Sequence, residues 1–274
     1  MMKRLIVNAD DFGMSLDISR GVIEAASSGL VRATSAMASS PAFGVSMEEL
    51  SSSGIDMDVG LHVTLTWGRP ISDPGSVTTL VDDGGNFLSG DRLFLRALLG
   101  GVSVDEAYRE MRAQAEFFLS KRPFITHLDG HHHVHVFPTI SLAAARIAQK
   151  FKIPVVRSPV EGRWSGITNA AIRRLAVALI PAASPDFWRR QGLSTPDNFG
   201  GFALGAGKKL KRRWIETLGR LPDGTTEIMV HPGYGGAEGD GYAGRRDEIG
   251  VLSDGKLLEI AASNGVEIVD FRVL

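Results

Sequence analysis

Seven histidines and one acidic pair are the residues of this chain best suited to chemistry. His62, His127, His131, His132, His133, His135 and His231 each fall at or just beyond a short apolar run, and Asp10-Asp11 ends another. Imidazole with carboxylate suits Zn²⁺, and also Fe, Co, Ni or Mn, whereas Mg²⁺ is less fond of imidazole. A catalytic metal keeps about three protein ligands and leaves a position for water or substrate. A single histidine on a strand is as often a satisfied structural residue. Asp10-Asp11 alone also reads as a solvated turn, or as the cap of a helix before Phe12-Gly13-Met14-Ser15. Convergence of both residue types from four separate strands favours a metal site.

Adjacent strand residues point to opposite sides, so Asp10 and Asp11 cannot simply chelate together. Where the strand ends and turns, one carboxylate can hold a metal while the other acts as general base. In Thr126 to His135, alternation puts His127, Asp129 and His131 on one face, provided Gly130 does not disturb it. One ligand with supporting partners is more plausible there than five ligands, and Asp129 could orient a neighbouring ring. His231 follows Glu227-Ile228-Met229-Val230 and precedes Pro232-Gly233. It could protonate a leaving group, or be a turn residue held by Pro232.

The elements that must position these groups alternate between apolar runs and helix-like stretches. Strands are predicted over Leu5–Asn8, Ala33–Ser39, Asp58–Thr66, Ile125–His131, Val155–Ser158, Glu227–His231 and Val266–Asp270. In Asp58–Thr66 the apolar face is Val59, Leu61, Val63 and Leu65, and the chemical face carries His62. Helices are predicted over Leu16–Ser28, from a capping box at Ser103–Glu106, over Thr139–Phe151 and over Lys256–Ser263. Repeated β–α units imply a parallel sheet. About seven parallel strands suggest an irregular, incomplete (β/α) barrel, with an open doubly wound sheet as the alternative. Active sites of such folds form at the C-terminal ends of the strands. The chain reads as a single domain over 1–274, with a less regular insertion or lid around 182–207.

The composition narrows the function classes. The 274 residues carry a net charge of −1 and no cysteine. Bulk nucleic-acid binding, disulfides, thiolate metal sites and a cysteine nucleophile are not expected. No signal peptide or spanning segment is visible, so a cytoplasmic protein without stable membrane insertion is expected. The basic run Lys208 to Arg213 reads as a solvated helix face. The tryptophans read as structural, although Trp67, just past the His62 strand, could stack on a substrate ring. A homodimer is compatible with the sequence, which carries no marker for one.

Taken together, Leu5 to Ser15, Gly60 to Thr66, Thr126 to Pro138 and Met229-Val230-His231-Pro232 resemble the YdjC-like (ChbG/HpnK) carbohydrate deacetylase family in order and spacing. The stretch from Glu161 to Gly224 matches weakly. The resemblance implies a barrel related to polysaccharide deacetylases and one divalent ion per chain, Zn²⁺ or Mg²⁺ foremost, with Mn²⁺, Co²⁺ or Ni²⁺ compatible. It implies that Asp11, His62 and His131 bind the metal, that Asp10 is the general base and that His231 is the general acid. His127, Asp129 and Arg157 would support the site or touch substrate. The expected substrate is a small N-acetylated sugar, lipid-linked or free. Two other readings stand beside this one. The first is a metal-dependent phosphoesterase or sugar isomerase on a similar barrel, and the second is a non-catalytic sugar- or metal-binding protein.

Overall fold

Strand β1 (Lys3–Phe12) is the axis of the fold. Its run Leu5-Ile6-Val7 has no polar face, as burial on both sides of a parallel sheet requires, and every residue from Leu5 to Phe12 is buried. The computed structural model describes residues 2–162, 164, 175, 177–235, 240 and 242–274. Along them follow α1 (Leu16–Ala26), β2 (Ala33–Ala36), α2 (Phe43–Ser52), β3 (Asp58–Val63), α3 (Gly90–Leu98), α4 (Val104–Leu119), β4 (His127–Gly130) and α5 (Ile140–Lys150). Then come β5 (Val155–Val156), α6 (Pro185–Arg189), β6 (Asn198–Gly200), α7 (Leu210–Arg220), β7 (Gly224–Val230), α8 (Arg245–Leu252), α9 (Lys256–Ser263) and β8 (Val266–Val269).

The strands lie in the order β5-β4-β3-β2-β1-β7-β6, with β8 also paired to β1. All pairings are parallel. One side of β1 meets β7 from Lys3↔Gly224 to Ala9↔Val230. The other side is shared, with β8 against Lys3 to Ile6 and β2 against Asn8, Ala9 and Phe12. The two ends of the sheet approach through isolated parallel bridges, Val155↔Ser194 and Glu161↔Phe199. The result is a curled, incomplete barrel built from parallel strands.

Each predicted strand is present, mostly with shifted ends. β6 was not predicted, because Asn198-Phe199-Gly200 offers only one apolar side chain. It lies, with α6, inside the stretch 182–207 that is irregular in the sequence. The predicted capping box is half made. Ser103 Oγ accepts the Glu106 N–H at 3.3 Å, but the Glu106 carboxylate turns to the Thr79 amide and hydroxyl at 2.7 and 2.8 Å. Ser103 N–H donates to Thr79 Oγ1 instead, so a neighbouring loop takes the reciprocal role. The basic run opens α7, where Arg212 pairs with Glu216 and Lys211 with Asp254.

Candidate active site

The register of β1 breaks between Ala9 and Phe12. Asp11 there takes φ 67°, the left-handed region that Asp tolerates better than most residues. The turn lets two neighbouring carboxylates serve one site. Both line a cavity of about 760 Å³, together with His62 near the end of β3, His131 just past β4 and His231 just past β7. The barrel edge is where the sequence places the chemistry, and Phe94, Phe137, Phe202 and Tyr242 add aromatic wall.

Asp11 Oδ1 faces two imidazole nitrogens, His131 Nδ1 at 2.9 Å and His62 Nε2 at 3.4 Å. Its other oxygen, Oδ2, accepts from Arg245 Nη2 at 2.6 Å. The ligand atoms of Asp11, His62 and His131 lie within 4.8 Å of one another. Asp10, His62 and Asp129 form a second set at that spacing among the described residues. That second set is a poorer cation site, because Asp10 and Asp129 are both already paired with Arg157. The first set suits a divalent ion: one anionic oxygen, two neutral-capable imidazoles, and a buried His131 Nε2 with no hydrogen-bond partner.

His62 Nδ1 lies 2.7 Å from Asp129 Oδ1. Such an outer carboxylate fixes the ring and leaves the other nitrogen for a ligand role. Burial disfavours charge on His62, but the Asp129 carboxylate and hydrogen bonds to Asp11 and Asp129 outweigh it and push the ring up to about 10. Asp11 is held well below the usual carboxylate range despite burial, by His131, His62 and Arg245. A proton on His62 thus takes the place a cation would fill among these carboxylates.

Arg157 organises the layer beneath. It is fully buried and reaches carboxylates from three strands: Asp10 at 2.6 Å through both terminal nitrogens, Asp129 at 2.7 Å and Glu227 at 2.7 Å. Asp10 Oδ1 also accepts from Asn8 Nδ2 at 2.8 Å, so Oδ1 receives two donors and Oδ2 one. Burial pushes Glu227 up to about 7, although the Arg157 guanidinium opposes the shift.

His127 opens β4 instead of ending it, and does not line the cavity. Its ring stacks on Phe271 with centroids 3.7 Å apart and contacts Ser35 Oγ and Thr126 Oγ1, both at 3.0 Å. Gly60 makes room for it, since a Cβ there would lie 2.4 Å from the ring. Trp67 packs against the core and is not among the cavity-lining residues. Gly130 stays extended, after which His132 and His133 adopt φ 54° and 56° and turn the chain away from the strand face. His132 and His133 reach the cavity; His135 instead lies near Trp188.

The backbone N–H of His231 donates to Glu248 Oε2, and Glu248 Oε1 accepts from Tyr242 Oη at 2.5 Å. Burial lowers the His231 pKa, with Asp11 and Asp10 opposing and Arg245 and Arg157 assisting. Sequence reasoning missed Asn8, Ser35, Glu227, Tyr242, Arg245 and Glu248. Asn8 sits on a recognised strand between Val7 and Ala9, a signal that could have marked it, whereas Glu227 follows Thr225 and Thr226 and stands out less.

A model of the YdjC-like protein family matches residues 4–263. The chain is 32% identical to a carbohydrate deacetylase of Thermoanaerobacter pseudethanolicus over 279 aligned positions, covering all of both chains. It is 32% identical to a carbohydrate deacetylase of Geobacillus stearothermophilus, covering 99% of this chain and 98% of the relative. Among solved structures, an Enterococcus faecalis V583 protein provisionally described as a cellobiose-phosphate cleavage protein superposes with TM-score 0.79 at 26% identity, covering 100% of this chain and 99% of the other.

Proposed function

The chain belongs to the YdjC-like family, and on that footing we propose that it is a metal-dependent carbohydrate deacetylase that hydrolyses the acetamide of an N-acetylated amino sugar. The observation that carries this reading is the meeting of Asp11, His62 and His131 on one cavity with Asp10 and His231. Asp11, His62 and His131 would hold one divalent ion. When bound, that ion polarises the acetamide carbonyl and stabilises negative charge developing on its oxygen.

The remaining work falls to the chain's own groups. Asp10 takes a proton from the attacking water. Oδ2 is the acceptor, because it receives one donor, Arg157 Nη1, whereas Oδ1 receives two, from Asn8 and Arg157. Arg157 and Asn8 fix the plane of that carboxylate from beneath, so the base needs no reorganisation. The water oxygen adds to the carbonyl carbon, the C–N bond breaks, and His231 donates a proton to the departing amine. Acetate and a free amino sugar result, with no covalent enzyme intermediate. The lowered pKa of His231 makes its protonated form a ready donor. The Phe94, Phe137, Phe202 and Tyr242 rings offer faces on which a sugar can pack.

The test is acetate release from N-acetylglucosamine, its short β-1,4 oligomers and lipid-linked forms. It is run on metal-stripped protein and after addition of Zn²⁺, Mg²⁺, Mn²⁺, Co²⁺ or Ni²⁺. Metal-dependent acetate release is expected. Phosphate release from sugar phosphates without acetate release would instead favour a phosphoesterase.

A further inference from the structure

Arg245 is, after Arg157, a second guanidinium buried against the cavity's carboxylates, and nothing in the reaction above uses it. It starts α8 and is 2% exposed. Its Nη2 lies 2.6 Å from Asp11 Oδ2 and 2.5 Å from Asp240 Oδ1, and its Nε lies 2.8 Å from Asp240 Oδ2. Its Nη1 donates to the His231 carbonyl at 3.3 Å. Tyr242 lies under the guanidinium, 5.6 Å from Cζ to ring centroid. One side chain therefore joins the carboxylate proposed to bind metal to the backbone of the proposed acid.

The division of labour at Asp11 is the informative part. Oδ1 faces both histidines, while Oδ2 faces Arg245. A carboxylate with one oxygen committed to a guanidinium has one oxygen left for a cation. We infer that Arg245 is a positioning residue that restricts Asp11 to one-oxygen ligation, keeping an additional coordination position for water or substrate. This inference rests on the metal-site reading above. A lysine could reproduce this only in part, because one ammonium can bridge Asp11 and Asp240 as Nη2 does but cannot also supply the Nε contact to Asp240 Oδ2 and the Nη1 contact to the His231 carbonyl.

The test uses Mn²⁺ as the probe, with two readouts: its dissociation constant by titration, and its count of exchangeable waters by water-proton relaxation. In Arg245→Gln the freed Oδ2 can reach the ion and a nearby positive charge is gone. Mn²⁺ is therefore expected to bind no more weakly than in the unaltered protein, with fewer exchangeable waters. Metal-dependent acetate release falls about 10–100-fold, the range of other outer-partner losses. Asp240→Asn, which loosens the guanidinium but keeps it, is expected to shift both readouts less in the same direction, and serves if Arg245→Gln does not fold by circular dichroism. Arg245→Lys, which can replace the Nη2 contacts alone, is expected to restore the water count in part. Weaker Mn²⁺ binding with an unchanged water count in the folded variants, or full turnover in Arg245→Gln, would overturn the inference. Failure of the unaltered protein to bind Mn²⁺ or any other divalent ion would instead remove the metal-site reading beneath it.

Discussion

With the proposed metal site empty, the protein's stability should fall with rising pH, and His62 sets both the sign and the size. An imidazole raised from 6.5 to about 10 binds its proton more tightly folded than unfolded. Its contribution is fully present below pH 6.5 and is lost as pH rises through about 10. The other strongly displaced groups act elsewhere. Glu227 and Glu248, raised to about 7, lose their contribution between pH 4.5 and 7. His133 and His135 are lowered, and both are neutral in the folded and unfolded chain well above pH 6.5. Between pH 7 and 9 the folded chain therefore holds nearly one more proton at His62 than the unfolded chain. At about 1.4 kcal/mol per proton per pH unit, stability falls by about 2–3 kcal/mol over that span. The melting temperature of metal-stripped protein should drop on the order of 5–10 °C. A divalent ion must displace the same proton, so titration at pH 7.5 in buffers of different ionisation enthalpy should show about one proton released per ion bound. A flat apo-protein profile across pH 7–9, together with no proton release, would refute the account of His62.

Asp10→Asn keeps the shape of the proposed base and removes its proton affinity. Acetate release should fall about 10²–10⁴-fold, while calorimetry shows ion affinity within a few-fold of the unaltered protein. His231→Gln should cost a similar factor on an alkyl acetamide and much less on a substrate with a good leaving group, a comparison that separates proton donation from binding. Gly60→Ala places a Cβ 2.4 Å from the His127 ring. Denaturant titration should show a loss of about 1–3 kcal/mol from overpacking, and a stability equal to the unaltered protein would mean that the ring moves freely.

The strands and the rim were readable because parallel sheets leave unbroken apolar runs and put chemistry at their ends. Leu5 to Val7 and Ile228 to Val230 show this, whereas Asp58 to Thr66 is marked by alternation instead. What lay hidden depends on contacts distant in sequence. Glu227 sits within a strand and gives no sign that it meets Arg157, 70 residues earlier. Arg245 is 234 residues from Asp11 and starts a helix without an apolar stripe clear enough to predict. Trp67 looks well placed for a sugar only if the chain runs straight after β3, whereas it turns to pack on the core. His127 shares a strand face with Asp129, but it lies two residues earlier, at the start of β4, where Phe271 stacks on it.

Asp11, His132, His133, Thr139 and Lys152 are the described non-glycine residues with positive φ, and the first three line the cavity. Such conformations cost on the order of 1–3 kcal/mol each and persist only where surrounding packing imposes them. None of these three turns would form in an isolated hairpin or helix. Their shape is imposed by β1, β4 and the layer under them, so the sheet must be assembled before the rim can be. If that dependence governs local opening, the rim loses its form at a free energy below that of global unfolding. Amide protons from His131 to His133 would then exchange ahead of those in β1, and the protein could lose its chemistry while its sheet still stands.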